Sequence, residues 1–228
     1  MRYFVTGDKH GNLEEIYDWA YRMNFECNEE IGVIILGDAG ILWRDDWTDA
    51  AATIAYHEAR YNFHIYFIDG NHENFNIIKT FNKFGITNIS PHIHYIPRGH
   101  KLRTESGKIV LCIGGADSVD KHFRTEGYNW WLEEQITMED MNMIDNSEDY
   151  DYVLSHCCPR SCLENYRIFL IHPGIKDPKE HPSEDMLNFL ITNLGVFPCD
   201  HWYFGHYHAD VQLDSNFTCV FHRFYELN

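Results

Sequence analysis

Short apolar runs alternate along this chain with longer segments whose apolar residues return every three or four positions. The runs are Tyr3 to Thr6, Gly32 to Leu36, His64 to Ile68, Lys108 to Ile113, Tyr150 to Leu154, His201 to Phe204 and Thr218 to Phe224. They are rich in Val, Ile, Tyr and Phe, and most stop at a glycine, as strands do. Leu13, Ile16, Ala20 and Met23 share one face of a helix opened by Asn12 as N-cap. Thr48 to Tyr61, Glu73 to Lys83, Glu133 to Ile144 and Ser183 to Leu194 also read as helices. The first half therefore runs strand–helix three times over, which predicts parallel strands in an α/β sheet. The second half is more strand-rich. The prolines Pro159, Pro173, Pro178 and Pro182 predict a loop-rich excursion at about 157–198 of a single domain spanning 1–228.

The polar residues that could do chemistry follow the strands directly. After the first comes Gly7-Asp8-Lys9-His10-Gly11-Asn12, after the second Gly37-Asp38, and after the third Asp69-Gly70-Asn71-His72-Glu73. Later, Ser155-His156 and Gly205-His206-Tyr207-His208 each close an apolar run. Open α/β sheets place ligand sites beyond the carboxyl ends of their strands, so side chains far apart in sequence can converge there. Taken singly the signals are weak. Asp8-x-His10 fits an Asx turn beside a surface histidine, Gly37-Asp38 is common, and a lone His156 is more often a bystander. Asn71-His72 has no packing purpose after an apolar strand, and His206-x-His208 places two imidazoles on one side of an extended segment. Their joint occurrence, each after a strand, makes a mixed N/O donor set without thiolates, suited to Mn, Fe, Zn or similar ions.

Composition sharpens this picture. With 18 basic and 35 acidic residues the formal charge is −17, which opposes broad nucleic-acid binding but not a small phosphorylated substrate. The seven cysteines are an odd number. Met1-Arg2-Tyr3-Phe4-Val5 begins as a strand without a signal-peptide core, and no apolar run spans a membrane. A cytoplasmic protein with free thiols is expected. Cys157, Cys158, Cys162 and Cys199 match no paired zinc spacing and read as ordinary thiols.

The ordered set Asp8-x-His10, Gly37-Asp38, Gly70-Asn71-His72-Glu73, His156 and Gly205-His206-x-His208 resembles the calcineurin-like metallophosphoesterase superfamily, from the first strand to near the C-terminus. The resemblance implies a four-layer α/β/β/α sandwich of two facing mixed sheets. It implies that Asp8, His10, Asp38 and His208 bind one divalent metal, that Asp38 bridges to a second completed by Asn71, His156 and His206, and that His72 is catalytic without being a ligand. Mn²⁺ is the expected ion, with Fe, Zn, Ni or Co as alternatives. Two such ions roughly 3.5–4 Å apart can hold a bridging hydroxide that attacks a phosphate mono- or diester. A nucleotide or other small phosphorylated molecule is the expected substrate. No membrane partner is expected, and the oligomeric state stays open.

One departure matters. The phosphoprotein-phosphatase branch follows its second motif with an Asp and a phosphate-contacting Arg, where this chain has Ile41 and Leu42. A protein phosphatase is thus an alternative rather than the first reading, and a non-catalytic scaffold a further one. What orients His72 is open, with Arg44, Asp45 and Asp46 as weak suggestions. Asp117 or Ser118 could reach the rim of a site, though a simple glycine turn explains that segment as well. Arg124 is matched to phosphate and Trp130-Trp131 to stacking on a base, but adjacent tryptophans more often start a core-packing helix. Asp120 reads as a solvated loop residue. A His92–His94 pair has nothing else converging on it.

Overall fold

The computed structural model describes residues 1–26, 29–43, 51–52, 54–56, 59–60, 63–147, 149–171, 181–196 and 199–228. Strands β1 (Arg2–Thr6), β2 (Ile31–Ile35) and β3 (Phe63–Phe67) are mutually parallel, with helix α1 (Glu14–Glu26) between the first two. After the helical turn α2 (Phe75–Ile78) and the short β4 (Thr87–Asn88), β5 (Ile93–Tyr95) pairs parallel to β3. The second sheet starts with β6 (His100–Arg103) and β7 (Ile109–Ile113). Helix α3 (Met138–Asn142) then leads to β8 (Tyr152–Ser155). Helices α4 (Arg160–Leu170) and α5 (Pro182–Phe189) precede β9 (His201–Phe204), β10 (Val211–Gln212), β11 (Phe217–Cys219) and β12 (Tyr225–Leu227). The strand orders are β12-β1-β2-β3-β5-β4 and β10-β11-β9-β8-β7-β6. Each sheet has four parallel strands inside and an antiparallel strand at either edge.

Strands buried on both faces read as nearly continuous apolar runs, and alternate residues of these runs enter different layers. Phe4, Val33, Ile35, Ile65 and Phe67 pack outward onto Leu13, Ile16 and Ala20 around α1. Val5, Ile34 and Tyr66 face the other way and meet Val110, Cys112, Leu154 and Tyr203 of the second sheet. On its far side the second sheet covers Leu111, Val153, Trp202 and Phe204 with Cys162, Leu163 and Leu170 of α4 and Leu187 of α5. The result is helix, sheet, sheet, helix: the α/β/β/α sandwich expected from the motifs.

The differences from expectation are local. Of the Thr48 to Tyr61 helix, the described residues are helical and the others lie outside them. Glu73 to Lys83 shortens to α2, where the Thr80 hydroxyl donates to the Ile77 carbonyl at 2.7 Å and competes with helix propagation. Glu133 to Ile144 splits because Thr137 and Asp140 form a reciprocal capping box that starts a new helix at Met138. The 157–198 segment is corrected most: where it is described it holds α4 and α5. Pro159 directly precedes α4 and Pro182 opens α5. These prolines start helices, since the first turn needs no proline N–H. Pro173 and Pro178 lie outside the described residues.

Candidate active site

Asp8 and His10 follow β1, Asp38 follows β2, Asn71 and His72 follow β3, His156 follows β8, and His206 and His208 follow β9. These strand ends meet at one rim of the sandwich, stitched by contacts between the sheets. The His206 N–H donates to Asp8 Oδ1 at 2.9 Å, and His156 Nδ1 donates to the Leu36 carbonyl at 2.6 Å. The backbone is held unusually to achieve this. Among the described residues, the non-glycine positions with positive φ are His10, Asp38, His206 and His208, at 46, 50, 66 and 49°. Each costs roughly 1–3 kcal/mol and persists only where the surroundings enforce it. Here the Asp38 carbonyl accepts from both Lys9 and His10 N–H, at 3.0 and 2.8 Å. The sequence reading of His206-x-His208 as extended is therefore corrected. The segment curls, and its two rings diverge, His206 toward His156 (ring centroids 5.0 Å apart) and His208 toward His10 (5.1 Å). Two glycines permit the close approach: a Cβ on Gly70 would lie 2.0 Å from Asp38 Oδ1, and one on Gly205 2.4 Å from Asp8 Oδ1.

Asp8, His10 and His208 offer ligand atoms within 4.8 Å of one another, and so do Asp8, Asp38 and His156. His208 Nε2 is 3.2 Å from Asp8 Oδ2 and 3.0 Å from His10 Nε2, while His156 Nε2 is 3.5 Å from Asp38 Oδ1. Asn71 joins through Oδ1, 3.1 Å from His156 Nε2. His206 belongs to neither group and borders them through its ring contact with His156. His72 comes within the same 4.8 Å of His10 and Asp38.

Asp8 Oδ2 is buried without a well-formed hydrogen bond, with the His208 Nε2 contact at 3.2 Å beside it, an expensive state for a carboxylate oxygen without a cation. Burial pushes the Asp8 and Asp38 carboxyls up, but His156 and the neighbouring histidines outweigh it and leave both below the ordinary carboxylate range. The same pair of charges, against the opposing effect of burial, drives His156 up to about 10. Burial, with His156 adding to it, pulls His206 down to about 4. The rim thus gathers two buried carboxylates among imidazoles, and this mixed N/O donor set fits divalent cations. His156 donates through Nδ1 to a backbone carbonyl, which turns Nε2 toward the carboxylates, the arrangement a metal-bound imidazole uses.

Further residues hold this set in place. Asn71 Nδ2 donates to Ser118 Oγ at 3.0 Å, and Ser118 donates through its hydroxyl (2.8 Å) and its N–H (2.7 Å) to the buried Glu134 carboxyl. The amide of Asn71 is thereby fixed with its oxygen facing the site. Asp69 accepts from Tyr95 and from the buried Arg98, which also reaches the carbonyls of Glu133, Glu134 and Gln135. Glu73 Oε1 accepts the Ala39 N–H at 3.0 Å and ties the third motif to the second. The His72 N–H donates to Asp38 Oδ1 at 2.7 Å, and its ring lies against Trp43 and His10.

Arg124, set aside in the sequence in favour of a packing segment, lies in the site, where its Nη2 donates to His72 Nε2 at 2.8 Å. Asp120, read as solvated, is its ion-pair partner at 2.8 Å. Ser118 was offered by the sequence as a rim residue only, with no link to Asn71, and Glu134 gave no signal beyond a helix pattern. Trp131 does pack in the core, against Trp43. Arg44, Asp45 and Asp46 lie outside the described residues. His94 is hydrogen-bonded to Asn88 and His64, and His64 sits early in β3, away from the strand end that carries Asn71. Cys157, Cys158, Cys162 and Cys199 are free and buried in the apolar layer under α4 and α5. A cavity of about 430 Å³ opens onto His10, Asp38, Asn71, His72 and Arg124.

The chain matches the family model for calcineurin-like phosphoesterases over residues 1–210 and belongs to that family. It is thus of a class of metal-dependent phosphoester hydrolases. Among solved structures it is similar to TT1561 of Thermus thermophilus, with 12% identity over 90% of this chain and 80% of that one and a TM-score of 0.49. It is also similar to the calcineurin-like phosphoesterase YfkN from Bacillus subtilis, with 15% identity over 92% and 72% and a TM-score of 0.39. Another structure reaches a TM-score of 0.53 at 9% identity over 96% of this chain and 89% of that one, a likeness of fold alone. No curated protein matches the chain. Among the described residues no helix is long and apolar enough to cross a membrane.

Proposed function

We propose that this chain hydrolyses a phosphate ester of a small molecule, with nucleotides among the candidate classes, using two divalent cations, Mn²⁺ first. The observation that carries this is the convergence of buried Asp8 and Asp38 with imidazoles from separate strand ends, Asp8 Oδ2 lacking any well-formed hydrogen bond. Asp8, His10, Asp38 and His208 would hold one ion, and Asn71, His156 and His206, with Asp38 shared, the second. Bound ions supply positive charge against the phosphoryl oxygens and a water acidic enough to act as nucleophile at neutral pH. The protein's part is to fix these donors: Leu36 sets the His156 tautomer, Ser118 sets the Asn71 amide, and Asp8 and Asp38 are kept ionised. His72 exchanges a proton with the leaving oxygen. Burial holds its pKa below the ordinary histidine value, the Asp38 charge opposes that shift, and Arg124 adds to it.

The cavity, about 430 Å³, falls in the range of small-ligand pockets. Ile41 and Leu42 are 2% and 0% exposed in the first apolar layer, so their side chains leave the Asp–Arg positions of the protein-phosphatase branch without polar groups. The test is hydrolysis of an aryl phosphomonoester and an aryl phosphodiester with added Mn²⁺. Asp38→Asn and His208→Ala are each expected to lower turnover at least ~100-fold, the scale of losing a catalytic electrostatic contact. Turnover equal to wild type in both variants would sink the reading. A panel of cyclic nucleotides, dinucleoside polyphosphates and phosphopeptides assigns the substrate class.

A further inference from the structure

The loop between β7 and α3 sends Arg124 into the active-site cavity. Its side chain is 9% exposed, and Nη2 lies 2.8 Å from His72 Nε2 and 2.8 Å from Asp120 Oδ1. Nη1 reaches the Asn129 carbonyl at a long 3.5 Å. Packing does not call for a guanidinium here. Asp120 is 47% exposed, and an ion pair with so open a partner contributes little. A nearly buried arginine whose inward neighbour is an imidazole rather than a carboxylate has donors aimed into the cavity and too few acceptors of matching charge. The planar fork of arginine fits the oxygens of a phosphoryl group better than any other side chain does.

We propose that Arg124 binds the non-bridging oxygens of the substrate's phosphoryl group, and that Asp120 is the positioning residue that aims it. This rests on the phosphoesterase reading above and adds a substrate contact to it. The contact with His72 acquires a meaning. Without substrate, Arg124 donates to His72 Nε2. When a phosphoryl group takes up the guanidinium, that nitrogen is released to face the leaving oxygen. No bond is made or broken by Arg124; it exchanges one hydrogen-bond acceptor for another.

The experiment is calorimetric binding of inorganic phosphate to the Mn²⁺-loaded protein, with metal content measured on each sample and aryl phosphate turnover alongside. Arg124→Gln is expected to weaken phosphate binding by roughly 10- to 100-fold, the span of a charge-assisted hydrogen-bonded contact, with metal content unchanged. Arg124→Lys, which keeps charge but not the fork, is expected between the two. Asp120→Asn is expected to weaken phosphate binding by about 3- to 10-fold at unchanged metal content, because it removes the aim and leaves the charge. Phosphate affinity of Arg124→Gln within about twofold of wild type, at full metal content, overturns the proposal while wild-type turnover leaves the phosphoesterase reading standing. Parallel loss of metal and phosphate in both Arg124 variants also overturns it, as a structural role. Wild-type protein that neither binds metal nor turns over ester defeats both readings at once.

Discussion

Replacing Arg98 with methionine tests the scaffold beneath the metal-binding rim. Arg98 donates to Asp69 Oδ2 through Nε and Nη2 at 2.9 and 2.6 Å. It also donates to the carbonyls of Glu133, Glu134 and Gln135 and to Asp140 Oδ2. The two side chains of the main pair are 10% and 0% exposed. Methionine keeps the aliphatic stem and deletes every donor, so the Asp69 carboxylate is left with the Tyr95 hydroxyl at 2.9 Å. Breaking a buried pair by removing one partner costs about 3–5 kcal/mol, because a charge is stranded rather than because the pair itself is strong. For a chain of this size each kcal/mol corresponds to about 2–4 °C in Tm, so the expected drop is roughly 6–20 °C. The assay is calorimetric and denaturant unfolding of metal-free protein, since bound metal adds stability by mass action. If the stranded charge is the cause, Asp69→Asn added to Arg98→Met should recover about half of the loss or more. A loss below about 1 kcal/mol for Arg98→Met, or no recovery in the double variant, would refute the reasoning.

Two smaller predictions concern the chain that orients Asn71. Ser118→Ala removes the acceptor that holds the Asn71 amide, and metal affinity is expected to fall about 10- to 100-fold by chelator competition, with a change under threefold counting against it. Burial raises Glu134 from 4.5 to about 7, against the hydrogen bonds from Ser118. The folded state then binds more protons than the unfolded one between these values. This contribution to stability is complete below about pH 4.5 and declines as pH rises toward 7. The difference corresponds to about 3 kcal/mol. In metal-free protein Glu134→Gln is expected to remove that decline, and unfolding curves with equal pH slopes in wild type and variant would contradict it.

How much of this was legible in the sequence depends on the range of the interaction concerned. Apolar runs near Val5, Ile34 and Leu154 announce strands because alternate residues must enter two different apolar layers, a demand written in each run. The order Asp8, Asp38, Asn71, His156, His206 was visible as chemistry after strands, since parallel strands all deliver their carboxyl ends to one rim. Prolines misled, because Pro159 and Pro182 start helices as readily as they break them, and only the packing of α4 and α5 onto the second sheet decides which. The positive φ of His10, His206 and His208 carries no sequence mark, since contacts with distant backbone enforce it. Arg124 and Ser118 look like loop residues until the fold sets one against His72 and the other against Asn71. The sequence by itself determined the longer inner strands, the parallel run of the first three and the donors at the strand ends, because these follow from local periodicity and residue chemistry. The short β4, β5, β6 and β10 are too brief to show a period. The tertiary structure alone decided which donors share a centre, which residues aim them and where the cavity opens, because those depend on distances between segments tens to hundreds of residues apart in the chain.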